Sequence, residues 1–167
     1  VCKGPIDTLD LMKVTLRFMI GSCALVADLT KMYNQFHLVP ENWNLQRILF
    51  KEGLDPQSPV QQAVVSTLIY GVKSTSCQSE TGLDDIGDHV KDEKPEVNKL
   101  LKDGRYVDNL LESKKNIEEA RALGEDTTEV LDRLSLTTKG FTYSGEDPQP
   151  DETIDGVSMG INGYRWF

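Results

Sequence analysis

Apolar residues recur with helical spacing near the start of the chain and form a continuous run immediately afterwards. From Leu9 to Ile20 they come every three or four positions, which predicts an amphipathic helix packed on a sheet. The apolar face expected for this helix comprises Leu9, Met12, Leu16, Met19 and Ile20. Gly21 follows as a helix stop, and the run Cys23 to Asp28, apolar up to its last residue, predicts a short buried strand.

The middle of the chain predicts two more strands and then two helices. Strands are expected at Arg47 to Phe50 and at Gln62 to Tyr70, the second being rich in β-branched and aromatic residues. The polar stretch Ser74 to Lys91 predicts a helix, and a shorter helix, Glu96 to Lys102, lies between a proline and a glycine. Helices therefore follow strands in this part of the chain.

The last third of the chain predicts helices and then glycine-rich strands. Asn116 is expected to cap one helix, and a second helix is expected to restart at Thr127 and run to Leu134. The segments Gly140 to Gly145 and Gly156 to Phe167 have strand-like composition. An α+β fold, with an antiparallel sheet and helices on one face, is the economical arrangement of these elements.

The stretch Arg105 to Leu111 predicts a tight hairpin that carries chemistry at its tip. Asp108 and Asn109 lie at its centre, where a hairpin turn places residues that tolerate positive φ. A carboxylate there keeps its lone pairs free while the flanking strands fix its position, which suits a cation ligand. Since one carboxylate seldom binds Mg²⁺ alone, a second acid is expected on a neighbouring strand. Asp28 is the best candidate.

Composition and charge narrow the classes of function. The chain has 167 residues, of which 38% are hydrophobic, as expected for one domain with a core. Its formal charge of −9 disfavours nucleic-acid binding, because such proteins gain affinity when Lys and Arg neutralise phosphates. Its longest apolar-rich stretch is too short and too charged to cross a membrane, so no membrane partner is expected. Three widely spaced cysteines, without a CxxC pair, predict an intracellular location, cytoplasmic or nuclear.

An ordered set of short motifs resembles a known family. The run Ala27 to Tyr33, followed far downstream by Tyr106 to Asp108, resembles motifs A and C of reverse transcriptases, whose palm carries one aspartate on a strand and others on a hairpin. More narrowly, the chain resembles the polymerase of BEL/Pao-type LTR retrotransposons. The matching segments are Cys2 to Pro5, Asp28 to Tyr33, Gln46 to Phe50, Tyr70-Gly71, Tyr106 to Asp108 and Lys139 to Gly145. Their order and approximate gaps agree over nearly the whole chain.

This resemblance implies a palm-like α+β sheet and RNA-directed DNA polymerase chemistry. It implies one palm domain over residues 1–167, a fragment without the start of the fingers, the thumb, RNase H or integrase. Asp28 and Asp108 would bind two Mg²⁺ ions as ligands rather than act as bases, and the carbonyl of Leu29 would complete a metal shell. Tyr33 would be the sugar gate beneath the incoming deoxynucleotide. Gly71 would open the loop that contacts the template and the new base pair.

The match to the family is imperfect at one metal ligand. The family has two aspartates in motif C, whereas Asn109 replaces the second here. An amide oxygen can contact Mg²⁺ but brings no negative charge, so metal affinity is expected to fall and catalysis to be impaired. Lys139 lies where the family places a basic residue near the nucleotide. Together with the negative charge, Asn109 favours an alternative function, a catalytically inactive palm that serves as a structural or interaction module among protein partners in a larger assembly.

Simpler interpretations of the same residues stay open. Asp28 is also suited to cap the helical turn Thr30 to Phe36, although the other motif matches favour a metal site. Asn109 is suited to a hairpin turn, and Tyr33 to packing. A further interpretation is an acidic α+β binding domain unrelated to polymerases, for which Asp28 and Asp108 are expected to lie far apart.

Overall fold

The computed structural model describes residues 4, 9–53, 55–144, 160–161 and 164–165. The chain divides into two compact units. We call Val1–Thr8 with Lys31–Leu83 the hairpin unit, and Leu9–Thr30 with Asp84–Phe167 the sheet unit. The single domain expected from the sequence stays a prediction.

The chain combines helices with antiparallel strands, as an α+β fold requires. The helices are α1 (Leu11–Phe18), α2 (Met32–Gln35), α3 (Thr75–Val90), α4 (Pro95–Asp103) and α5 (Ile117–Arg133), with a 3₁₀ helix at Pro40–Leu45. The strands are β1 (Cys23–Leu29), β2 (Arg47–Phe50), β3 (Gln61–Val64), β4 (Arg105–Tyr106), β5 (Asn109–Lys114), β6 (Thr138–Tyr143), β7 (Gly160–Ile161) and β8 (Tyr164–Arg165). The predicted α+β class is confirmed, at about 44% helix and 23% strand.

The sheet unit is built on four antiparallel strands in the order β4-β5-β1-β6. Its inner strand β1 is apolar along nearly its whole length, and Leu25 and Leu29 are almost completely buried. Asp28, near the end of β1, is the half-buried exception. Strand β1 is therefore buried along its length except at Asp28.

Both faces of β1 are covered, because successive side chains of a strand point to opposite faces. The long helix α5 lies against the face of Leu25 and Ala27, where the missing side chain of Gly124 leaves room for aromatic rings of β6. The shorter α1 packs against the other face, in a cluster comprising Val14, Phe18, Ala24, Val26 and Leu111. The predicted antiparallel sheet with packed helices is thus confirmed, but the expectation that the helices lie on one face is wrong, because α1 covers the second face.

The apolar face predicted for α1 is largely wrong. Leu9 does pack against the core cluster, but the other four predicted residues are 58–82% exposed: Met12, Leu16, Met19 and Ile20. Val14 and Phe18 are buried instead. The helix carries two apolar stripes. The stripe that contains Val14 and Phe18 is the one that packs against the sheet.

The second strand of the hairpin unit is shorter than predicted. β2 matches its prediction and pairs antiparallel with β3, but β3 ends at Val64 rather than Tyr70. Beyond it the side-chain amide of Gln46 donates to the carbonyls of Val65 and Thr67, at 3.2 and 2.7 Å. The side chain of this buried glutamine thus forms hydrogen bonds with backbone carbonyls that were expected to lie in a strand.

The predicted restart of a helix at Thr127 is also wrong, because α5 runs unbroken from Ile117 to Arg133. The hydroxyls of Thr127 and Thr128 donate to backbone carbonyls four residues earlier in the same helix, at 2.7 and 2.8 Å. These bonds let threonines sit inside a helix. The predicted cap is confirmed, since the Asn116 side chain accepts from the Glu119 backbone N–H at 2.9 Å.

Other predicted elements are confirmed with small changes at their ends. α3 and α4 coincide with the two helices expected between residues 74 and 102. β6 covers most of the first glycine-rich segment. In the second such segment, β7 and β8 form a small antiparallel pair, and the rest of Gly156 to Phe167 lies outside the described residues.

Candidate metal centre at the end of the central strand

Asp28 on β1 pairs directly with Asn109 on β5. The backbone N–H of Leu29 donates to the carbonyl of Asp108 at 2.8 Å, so the neighbouring pair Asp28 and Asn109 is of the non-hydrogen-bonded kind. Facing side chains approach most closely at such positions. The sheet register therefore brings Asp28, Leu29, Asp108 and Asn109 together, as the sequence predicts for a shared site.

Val107 and Asp108 form the turn of the hairpin, since Tyr106 pairs with Asn109. The prediction that Asp108 and Asn109 form the centre of the turn is wrong by one residue. Asn109 belongs to β5, because its pairing with Asp28 continues the ladder to the hairpin tip. The simpler interpretation of Asn109 as a turn residue is wrong for the same reason.

Val107 takes the backbone strain of this turn. Its φ is +56°, and a positive φ at the first central position is the pattern of a type II′ turn, which favours glycine there. For a β-branched residue such a φ costs about 1–3 kcal/mol. Strain of this kind is common at functional sites. It positions Asp108 at the tip, beside the end of β1.

Asp108 receives a hydrogen bond from its neighbour. The amide nitrogen Nδ2 of Asn109 donates to Oδ1 of Asp108 at 3.3 Å. An aspartate in place of Asn109 has no such donor, and two adjacent carboxylates repel one another without a cation. Asn109 thus supplies a hydrogen-bond donor to the Asp108 carboxylate.

Lys139 completes the site from the other side of β1. Leu29 pairs with Thr138 and Ala27 with Phe141, so two residues of β6 lie opposite the single Asp28, which defines a β-bulge. The second of them, Gly140, has a φ of +93°, which favours glycine. The ammonium Nζ of Lys139 lies 3.1 Å from Oδ2 of Asp28.

The simpler interpretation of Asp28 as a helix cap is wrong. The N-cap residue of α2 is Lys31, with φ of 48°, and no side chain forms a capping hydrogen bond there. Asp28 instead faces Asn109 and forms an ion pair with Lys139. Its place in the sheet is therefore not explained by capping.

The hairpin that carries Asp108 is anchored by an ion pair that sequence reasoning missed. Arg105, the first residue of β4, is 3% exposed. Its Nη1 lies 2.7 Å from Oδ1 of Asp84 on α3 and also donates to the carbonyl of Leu101. The sequence signal is an arginine directly before Tyr106, and the partner, 21 residues earlier, could not be chosen from the several acids of α3.

Tyr33 and Gly71, two of the three predicted nucleotide-binding residues beside Leu29, lie in the hairpin unit. The ring of Tyr33 meets that of Tyr70 edge to face, with centroids 4.8 Å apart. Gly71 has φ of +87°, and a side chain added there would meet no atom within 4 Å. Tyr33 therefore has a packing role within its unit, and the nucleotide-binding roles of both residues stay predictions.

The donor atoms at the end of β1 suit a hard divalent cation. They are the carboxylates of Asp28 and Asp108, the amide oxygen of Asn109 and the carbonyl of Leu29, all of the oxygen type that Mg²⁺ prefers. Two carboxylates balance the charge of one Mg²⁺ but not of two. Across the described ranges, no group of three or more Asp, Glu, His or Cys side chains is arranged to bind a metal. The set therefore fits one ion, and the two ions implied by the resemblance stay a prediction.

No protein-family model matches this chain, and no curated protein matches it. Among the helices in the described part of the chain, none combines the length and apolar character needed to cross a membrane. Functional assignment therefore depends on the geometry of the site.

Proposed function

We propose that this chain is a reverse-transcriptase-like palm domain, similar to that of BEL/Pao-type retrotransposons. Its ancestral activity is RNA-directed DNA polymerisation by two-metal nucleotidyl transfer, with a primer-template and a deoxynucleoside triphosphate as substrates. In the present chain that activity is impaired at Asn109.

One observation carries this proposal. Asp28 ends a buried strand, and Asp108 lies at the tip of a hairpin whose second strand pairs with that strand. Two acids that are 80 positions apart in sequence thus lie at one edge of one sheet. An unrelated acidic binding domain has no reason to bring them together, which disfavours that interpretation.

The side chains at this edge have distinct roles in the proposed chemistry. When bound, Mg²⁺ would lower the pKa of the primer hydroxyl and neutralise phosphate charge. Asp28 and Asp108 would supply the negative charge of the site, and Leu29 a carbonyl. Asn109 orients Asp108 through its amide donor. Strands position Asp28, Leu29 and Asn109, and a tight two-residue turn positions Asp108, which favours precise placement.

The charge of the chain and of the site favours the second candidate function, an inactive palm that serves as a structural or interaction module. The chain carries −9 overall, and the carboxylate of Asp28 is already paired with Lys139. A carboxylate that already pairs with a lysine has less need of a metal ion. Under this function its partners are proteins of an assembly.

Primer extension on an RNA template tests the proposal, first with Mg²⁺ and then with Mn²⁺. We expect Asn109→Asp to extend the primer at least about tenfold faster than the native chain, because a third carboxylate strengthens cation binding. Asn42→Asp, an exposed site in the 3₁₀ helix, makes the same change in charge and is the matched control. Asp108→Ala, introduced beside Asn109→Asp, is expected to abolish extension.

Each result favours one candidate. Extension that requires both Asp108 and an aspartate at position 109 supports an intact polymerase palm silenced in motif C. Equal rates for the Asn109→Asp and Asn42→Asp variants contradict a role of this site in catalysis. The inactive module is then the better function, and pull-down of protein partners becomes the informative measurement.

A further inference from the structure

The ammonium of Lys139 occupies the cation side of the proposed metal site. Its Nζ is 3.1 Å from Oδ2 of Asp28, and the two side chains are 63% and 36% exposed. The bulge at Gly140 determines this position, since it sets two residues of β6 opposite Asp28. The pair therefore follows from the strand register.

A metal ion and this ammonium cannot both be bound to Asp28 without repulsion. Two positive charges about 4–5 Å apart repel even in water, and the repulsion energy doubles when one of them is a divalent ion. A second carboxylate at this edge of the sheet is that of Asp108, whose Oδ1 accepts from Asn109. Each acid of the described site is thus already neutralised or hydrogen-bonded by a neighbouring side chain.

We propose that Lys139 is an internal cation for Asp28 that competes with divalent metal ions and lowers the affinity of the site for them. The inference rests on the proposed metal-binding function. It attributes the expected low affinity for divalent metal ions to Lys139 as well as to Asn109. Because Lys139 is mostly exposed, its side chain can leave Asp28 and rotate into solvent when a metal ion binds. Competition, rather than a permanent block, is the result.

Mn²⁺ binding by the purified chain, measured from the electron paramagnetic resonance signal of the free ion, tests this inference without any polymerase assay. Lys139→Met keeps the aliphatic stem and removes the charge. We expect it to bind Mn²⁺ about tenfold more tightly than the native chain, from the repulsion removed. Lys139→Gln, a polar replacement, is expected to give a similar gain.

Lys114→Met is the matched control. Lys114 is also a strand lysine that pairs with a carboxylate, Glu96, and it lies opposite Cys23 at the far end of β1. Its removal changes the net charge equally but leaves Asp28 untouched. We expect Mn²⁺ affinity to change by less than about twofold, because charges beyond a Debye length of about 8–10 Å are largely screened.

The outcomes separate this inference from the proposed function. Tighter binding in both Lys139 variants, lost again when Asp28→Asn is added, supports competition. Unchanged affinity in the Lys139 variants, with affinity lost in Asp28→Asn alone, overturns competition but leaves the metal site intact. If neither Lys139 variant binds Mn²⁺ more tightly than Asp28→Asn does, both the competition and the proposed metal site are overturned.

Discussion

Asp28 faces Asn109 across the two inner strands of the sheet, at a position where opposed side chains come closest. A carboxylate that faces a neutral amide meets no like charge and needs no metal ion to balance it. A carboxylate that faces a second carboxylate, with Asp108 next to it, is repelled unless a cation is bound. The residue at position 109 therefore decides whether this edge of the sheet depends on a bound cation.

We expect Asn109→Asp to make stability depend on metal. Without divalent ions, directly opposed like charges should lower the free energy of unfolding by up to about 1 kcal/mol. With Mg²⁺ the loss should be reversed, because a ligand that binds only the folded state stabilises it. Thermal unfolding in EDTA and in 10 mM-scale Mg²⁺ measures both effects. An Asn109→Asp variant whose melting temperature ignores Mg²⁺ would count against a cation site here.

The strained turn residue gives a second prediction. Val107→Gly should leave stability unchanged or raise it by up to about 1 kcal/mol, because relief of a positive φ worth about 1–3 kcal/mol outweighs the entropy lost by glycine. Val64→Gly, a half-exposed strand position in β3, should instead lose about 0.5–1 kcal/mol. Urea unfolding of both variants compares them. A loss at Val107 as large as that at Val64 would show that no strain is stored in the hairpin.

The anchor of the hairpin gives a third prediction. Arg105→Met should lower the free energy of unfolding by about 2–3 kcal/mol, less than a fully buried pair would lose because Asp84 is one-third exposed and can rehydrate. Arg133→Met, which breaks an exposed pair with Glu93, should cost no more than about 0.5–1 kcal/mol. Denaturant unfolding of the two variants gives the difference. Equal costs would mean that burial of Arg105 adds nothing to its ion pair.

Local patterns predicted most of the elements. The apolar run ending in Asp28 predicts β1 because burial on both faces leaves few other ways to place five apolar residues in a row. Asn116 predicts the start of α5 because a capping side chain acts within its own turn. Such features need no knowledge of distant residues, and the structure confirms them.

Features that depend on distant contacts were missed. α1 has two apolar stripes, and only the sheet selects Val14 and Phe18. The hairpin turn lies one residue earlier than expected because Asn109 pairs with Asp28, 81 positions away. Lys139 lies near Asp28 through a one-residue bulge, which the sequence marks only by Gly140. The site could thus be predicted as a pair of acids, but the ion pair of one acid with Lys139 and the hydrogen bond of the other with Asn109 could not.

The pH dependence of stability gives the last prediction, at Glu96 on α4. A hydrogen bond donated by Lys114 holds the pKa of this carboxyl below its ordinary value of 4.5. A lowered folded-state pKa adds stability above the unfolded-state pKa, and that stability is lost as pH falls through the lowered value. Glu96→Gln should therefore cost up to about 1 kcal/mol at pH 7, a small amount because the carboxylate is mostly exposed. The cost should shrink towards zero near pH 3, as followed by urea unfolding at both pH values. Glu52→Gln, at an exposed bend, controls for net charge, and a Glu96→Gln cost that is the same at both pH values would rule out the ion pair as its source.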